Sequence, residues 1–224
     1  MSATEYTGDL EAAASQLAES SRQIAESGLV SSSSGNLSVR VGDELLITPR
    51  RGRLEAIEPA SCRRVSISDG NETAGSDQTW EPSSETPLHL SVYRVSDAGA
   101  VVHTHSTYAT ALSTVADELP PIHYLLAAFG GPVRVAPYAT FGSEELARNV
   151  EAALDGRRGC LLQNHGAVVY ADDLDRAVDL ATQLEWFCQI YMIASAHGKP
   201  KLLDQMELAR VAERAQSLRY GMGG

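Results

Sequence analysis

The run AVVHTHS sets His103 and His105 two residues apart at the end of a short apolar stretch. Read as a strand, it points both imidazoles to one face, their Cα atoms about 6.5–7 Å apart. Two rings so placed can converge on one ion held at about 2.0–2.1 Å. His165, in LLQNHGAVV, is a natural third ligand. Catalytic zinc sites often add a carboxylate and keep an open position. Glu85 is the candidate: in PSSETPLH it stands just before a predicted helix, with two serines ahead of it and a proline behind. His89, one helical turn later, reads as a helix residue or a partner supporting the site. His123 and His197 read as ordinary histidines.

Short strands and helical stripes alternate along the rest of the chain. Asp9 reads as the N-cap of a helix carrying Leu10, Ala13, Ala14, Leu17 and Ile24 and ending near Gly28. NLSVRV and ELLITP read as strands joined through Gly42-Asp43, followed by a strand around CRRVSIS and the polar loop SDGNETAGSD. A helix is expected after Pro87, and AVVHTH forms a strand feeding a helix over Ala109–Val115. SEELARNVEAALD is helical by its Ser143 cap, and GCLLQN and GAVVYA are strands flanking the His165 turn. The stripe Leu174, Ala177, Val178, Ala181, Leu184, Phe187, Cys188 and Tyr191 predicts a long helix from Asp172 to His197. A last helix covers roughly Asp204–Arg219. With no internal repeat and no domain-separating linker, residues 1–224 are expected to form one α/β domain. Hairpin-like pairs favour a mixed, mostly antiparallel sheet covered by helices.

A formal net charge of −11 argues against a nucleic-acid partner, since such proteins usually carry a basic stripe. The cluster Arg50, Arg51 and Arg53 is too short to alter that, yet can hold one small anion. No apolar run approaches a bilayer span, and MSATEYTGDLEAAASQ lacks a signal-peptide core. Cys62, Cys160 and Cys188 are odd in number, far apart and in no CxxC pattern. They read as buried thiols of a protein in a reducing cytoplasm, with no membrane partner.

The segments SSGNLSVR, ITP, PSSETPLH, VVHTHS, IHYLLAAFGG, APYATFGSEEL and LLQNHG together resemble the class II aldolase/adducin family, from about Leu17 to Tyr220. The resemblance implies a three-layer α/β/α fold and a homotetramer with active sites between subunits. It implies Zn2+, or another divalent metal, on Glu85, His103, His105 and His165. The activity implied is a lyase of carbohydrate metabolism that cleaves a ketose 1-phosphate, such as L-fuculose 1-phosphate, to dihydroxyacetone phosphate and a short aldehyde. Glu85, once displaced from the metal, would act as base. Tyr124 matches a proton donor working from the neighbouring subunit, Phe141 a wall of the aldehyde pocket, and Tyr220 a tail tyrosine closing over the site. Ser33, Asn36, Ser83 and Ser84 match phosphate-binding positions. Without the resemblance, Tyr124 and Phe141 read as core aromatics and the serine run as a turn.

One loop departs from the pattern. Sugar-phosphate aldolases of this kind carry a small hydroxyl residue and then glycine directly after ITP, where this chain has Arg50-Arg51-Gly52. Arginine here could grip phosphate or carboxylate bidentately, fill the pocket or face solvent; Arg50 is the candidate ligand. Competing activities are an L-ribulose-5-phosphate 4-epimerase or another lyase of the superfamily. Epimerases carry aspartate where this chain has Glu85. An adducin-like interaction module without chemistry is the non-enzyme alternative, and loss of the metal ligands would be its signature.

Overall fold

Helix α1 (Ala3–Glu26) buries Ala14, Leu17, Ala18, Ser21 and Ile24, a stripe recurring at three and four that lays one face on a sheet. This computed structural model describes residues 3–73 and 79–218. Strands β1 (Asn36–Val41) and β2 (Glu44–Ile47) pair antiparallel across the tight Gly42-Asp43 turn, where Gly42 has φ 59. A positive φ at the first turn position suits a two-residue hairpin and costs glycine nothing. β3 (Arg63–Ser66) follows, then α2 (Thr86–Val95), β4 (Ala100–Thr104) and α3 (Thr107–Ser113). Next come β5 (Glu118–Leu119), β6 (Val133–Ala136), α4 (Glu144–Leu154), β7 (Gly159–Leu162), β8 (Gly166–Ala171), α5 (Leu174–His197) and α6 (Gln205–Ser217).

The eight strands lie in the order β3-β2-β1-β4-β8-β7-β6-β5, and every pair is antiparallel except β6 with β7. The expected mixed, mostly antiparallel sheet is therefore observed. Along β4, successive residues serve opposite faces, as a strand requires: Ala100 and Val102 pack in one core, Val101 in the other. Helices α1, α3 and α5 cover the first face; α2 and α4 cover the second. The result is three layers, α/β/α. The stripe on α5 is buried as its spacing predicts, from Leu174 to Cys188.

Local signals misplace a few boundaries. Asp9 lies inside α1, which begins at Ala3, so it caps nothing. β5 and β6 were not anticipated; at two and four residues they are too short for a period to show. The 3-10 helix Tyr124–Phe129, which packs against α6, was likewise hidden in an apolar run. All three cysteines are buried and unpaired, and burial pushes the Cys62 thiol up to about 12, which leaves it inert. No helix among the described residues is long and apolar enough to cross a membrane.

Candidate metal centre and its cavity

His103 is the fourth residue of β4, and His105 lies just past the strand end. Their partner His165 sits on the turn between β7 and β8. That turn can press against β4 only because residue 166 is glycine: a Cβ there would lie 2.1 Å from the Thr104 carbonyl oxygen. Asn164, at φ 57, completes the turn, and its N–H donates to Ser113 Oγ at 3.1 Å. On the other side, the Glu185 carboxylate accepts the N–H groups of Tyr108 and Ala109, both at 2.8 Å. This pins the start of α3 directly behind His105.

The three imidazoles form a nearly equilateral triangle, with ring centroids 4.8, 4.9 and 4.8 Å apart. Their ligating nitrogens all lie within 4.8 Å of one another. His103 Nδ1 is 2.9 Å from the Ala167 carbonyl, which can only accept, so the proton resides there and Nε2 offers a lone pair. Nε2 faces His105 Nε2 at 3.0 Å. Burial holds all three rings neutral. His103 titrates well below its usual range, burial acting first and the neighbouring histidines second. Burial, with His105 adding to it, takes His165 down to about 4, and burial lowers His105 as well. Neutral imidazoles with convergent lone pairs are the form a metal binds.

Glu85 lines the same cavity as His105 and His165, outside the 4.8 Å group of imidazoles. Its position is set by the start of α2, where its N–H donates to Ser83 Oγ at 3.2 Å. It is only 6% exposed, and Oε2 is buried with no hydrogen-bond partner. Desolvation raises its pKa to about 7, opposed by a hydrogen bond from the Gly142 backbone. An orphaned carboxylate oxygen beside three neutral imidazoles fits a divalent ion that accepts nitrogen and oxygen donors.

The cavity, about 300 Å³, is otherwise lined by Ser33, Ser34, Gly35, Asn36, Pro49, Arg51, Ser83, Ser84, Tyr138, Ala139, Phe141 and Asn164. Ser33, Asn36, Ser83, Ser84 and Phe141 thus come together as expected. Arg50 does not: it turns outward to Glu81 at 2.8 Å, and Arg51 takes the wall position instead. Tyr124 is half exposed and lies outside the cavity of its own chain. Tyr220 lies outside the described residues. Sequence reasoning missed Tyr138, which no spacing signal marks. It also missed the depth of support beneath Asn36.

That support is a buried chain of hydrogen bonds. Asn36 Oδ1 is 2.6 Å from His89 Nε2, His89 Nδ1 is 2.7 Å from Ser38 Oγ, and Ser38 Oγ is 2.9 Å from the Tyr93 hydroxyl. Oδ1 accepts only, so His89 donates from Nε2, and Nδ1 accepts from Ser38. The Asn36 amide is thereby oriented, leaving its NH2 free of this chain. Burial takes His89 down to about 3, which keeps the ring neutral and the chain intact at neutral pH. His89→Ala is expected to destabilise the fold by about 2–4 kcal/mol, since it opens a cavity and strands buried polar groups. A urea midpoint equal to wild type would remove the chain from the fold's support.

Fold and site together define an α/β/α protein with a three-histidine centre at one end of its central strands, opening on a donor-lined cavity beside a buried carboxyl group. The family described as Class II Aldolase and Adducin N-terminal domain matches residues 15–192, and the chain belongs to it. The chain is 37% identical to the 5-methylthioribulose-1-phosphate/5-deoxyribulose-1-phosphate aldolase of Rhodospirillum rubrum, over 92% of this chain and 90% of that one. It is 36% identical to the L-fuculose phosphate aldolase of Escherichia coli, over 93% and 95% respectively. A solved L-fuculose 1-phosphate aldolase superposes with a TM-score of 0.86 at 35% identity, covering 91% of this chain and 96% of its own. These relatives are class II aldolases, enzymes of the aldehyde-lyase class.

Proposed function

We propose that this chain is a metal-dependent aldolase that cleaves a ketose 1-phosphate to dihydroxyacetone phosphate and a short aldehyde. The observation that carries the reading is the buried Glu85 carboxyl, its Oε2 unpaired, beside three convergent imidazoles in one donor-lined cavity. His103, His105 and His165, with Glu85, would hold a divalent metal, zinc by analogy with the family. Bound there, it would supply a Lewis acid that stabilises negative charge developing on the substrate's oxygens.

The remaining steps fall to side chains. In cleavage the C3–C4 bond of the ketose breaks, the C4 hydroxyl loses a proton and C3 gains one. Glu85 delivers the proton to C3, a buried carboxyl group in the cavity wall placed to carry it. Tyr124 of a neighbouring subunit takes the C4 hydroxyl proton, a role suited to a tyrosine exposed outside its own cavity. Ser33, Asn36, Ser83 and Ser84 offer hydroxyl and amide donors to the phosphate, beside the N-terminus of α2. Phe141 bounds the aldehyde end. The reading includes a homotetramer, one catalytic domain over residues 1–224, and a cytoplasmic location. The names of its relatives, on L-fuculose phosphate and on deoxyribulose phosphates, frame the substrate class.

The test is a panel of L-fuculose 1-phosphate, 5-deoxyribulose 1-phosphate, L-ribulose 5-phosphate and non-phosphorylated analogues, each with and without chelator. Cleavage of the ketose 1-phosphates should vanish on chelation and return with zinc. Chelator-resistant turnover would overturn the metal-dependent reading. Conversion of L-ribulose 5-phosphate alone would replace the aldolase with an epimerase.

A further inference from the structure

Three non-glycine residues among those described have left-handed backbones: Ser32 at φ 57, Arg51 at φ 58 and Asn164 at φ 57. All three border the cavity. Arg51 and Asn164 line it, and Ser32 immediately precedes Ser33, which does. A side chain at such φ values costs free energy that glycine would avoid, and such strain gathers at functional sites. Arg51 falls in the loop directly after Ile47-Thr48-Pro49, the segment in which the chain departs from the pattern its sequence resembles. Arg51 thus places a guanidinium-bearing side chain on a backbone that glycine would adopt without cost.

The neighbouring arginines are engaged elsewhere. Arg50 pairs with Glu81 at 2.8 Å, and Arg53 pairs with Glu55 at 2.5 Å. Among the described residues Arg51 has no ion pair. The cavity wall it shares offers the hydroxyls of Ser83 and Ser84 and the amide of Asn36, all neutral donors. A tetrahedral dianion needs several converging donors, and a planar fork meets two of its oxygens at once.

We propose that Arg51 is a specificity-determining residue, whose guanidinium grips a phosphate monoester dianion seated against Ser83, Ser84 and Asn36. It makes the chain select phosphorylated ketoses more steeply than glycine at that position would. The inference rests on reading the cavity as a sugar-phosphate site, and binding can test it without turnover. Arg51→Gly suits the backbone, so the variant should fold with an unchanged or higher Tm.

The probe is inorganic phosphate, read by the thermal shift of chelated protein against chloride at equal ionic strength. Wild type and Arg53→Ala should be stabilised by phosphate alike, and Arg51→Gly should lose most of that shift. Arg51→Lys, which keeps charge without the fork, should fall between. With a ketose 1-phosphate, Arg51→Gly should raise KM by about 10- to 100-fold and leave kcat nearly unchanged, the worth of a charged hydrogen-bond pair. An Arg51→Gly protein that binds phosphate like wild type would overturn the proposal, as would equal loss in Arg53→Ala. If phosphate binding depends on Arg51 but no ketose phosphate is cleaved, the proposal stands and the aldolase reading fails. If cleavage is seen with KM unmoved in Arg51→Gly, the aldolase reading stands and this proposal falls.

Discussion

Glu85→Gln is expected to abolish turnover and, in the metal-free protein, to raise stability above pH 7. Both effects come from one carboxyl group. Burial lifts its pKa from 4.5 to about 7, so the folded state holds a proton that the unfolded chain has already released. Stability from that proton is fully present below pH 4.5 and is lost as pH rises through about 7. The displacement corresponds to about 3 kcal/mol as an upper bound. Glutamine keeps the shape and an acceptor oxygen but cannot ionise, so the variant escapes the cost and also lacks the proton carrier. Urea unfolding of chelated wild type and variant should give stabilities whose difference grows in the variant's favour from pH 4.5 to pH 8. A constant difference across that range would show that Glu85 is not desolvated as described. Bound metal would reverse the balance by favouring the ionised carboxylate, so the gain should shrink or vanish when zinc is restored.

The second large effect is expected at the imidazole triangle. His165→Ala should lower turnover by at least about 10³-fold, because it would remove a ligand from the proposed centre whose Lewis acidity would carry the chemistry. His165 is partly exposed on a turn, so the protein should remain folded. His103→Ala should be as inactive and measurably less stable, since that ring is fully buried and bonded to the Ala167 carbonyl. Metal content by elemental analysis, circular dichroism and turnover together separate loss of the ion from loss of the fold. Full metal occupancy and activity in His165→Ala would refute the ligand set.

The helix stripe on α5 and the hairpin of β1 with β2 could be read from local periodicity and turn chemistry, which are properties of neighbouring residues. The same holds for the imidazoles. His103 and His105 share a face through strand alternation, and His165 was marked by its turn between two apolar runs. The strand ends before His105, however, and the triangle closes only because Gly166 lets one turn approach another strand. The Glu185 carboxylate behind α3 comes from 76 and 77 residues away, beyond the reach of any local pattern. The outward turn of Arg50 also has a distant cause, its pairing with Glu81 across 31 residues.

What the sequence by itself determined was most of the inventory: the longer strands and helices in order, a layered α/β class, and the residue types of a candidate metal centre. Short-range sterics and side-chain alternation suffice for that. The tertiary structure alone decided the electrostatic state of those residues and the direction in which they face. The Glu85 carboxyl is held above the usual carboxylate range because the fold buries it with Oε2 unpaired, and Asn36 is oriented because His89 reaches it from another element. Arg51 reaches the cavity while Arg50 leaves it. Desolvation and hydrogen-bond direction depend on which distant groups meet, and adjacent letters in a sequence carry no record of that.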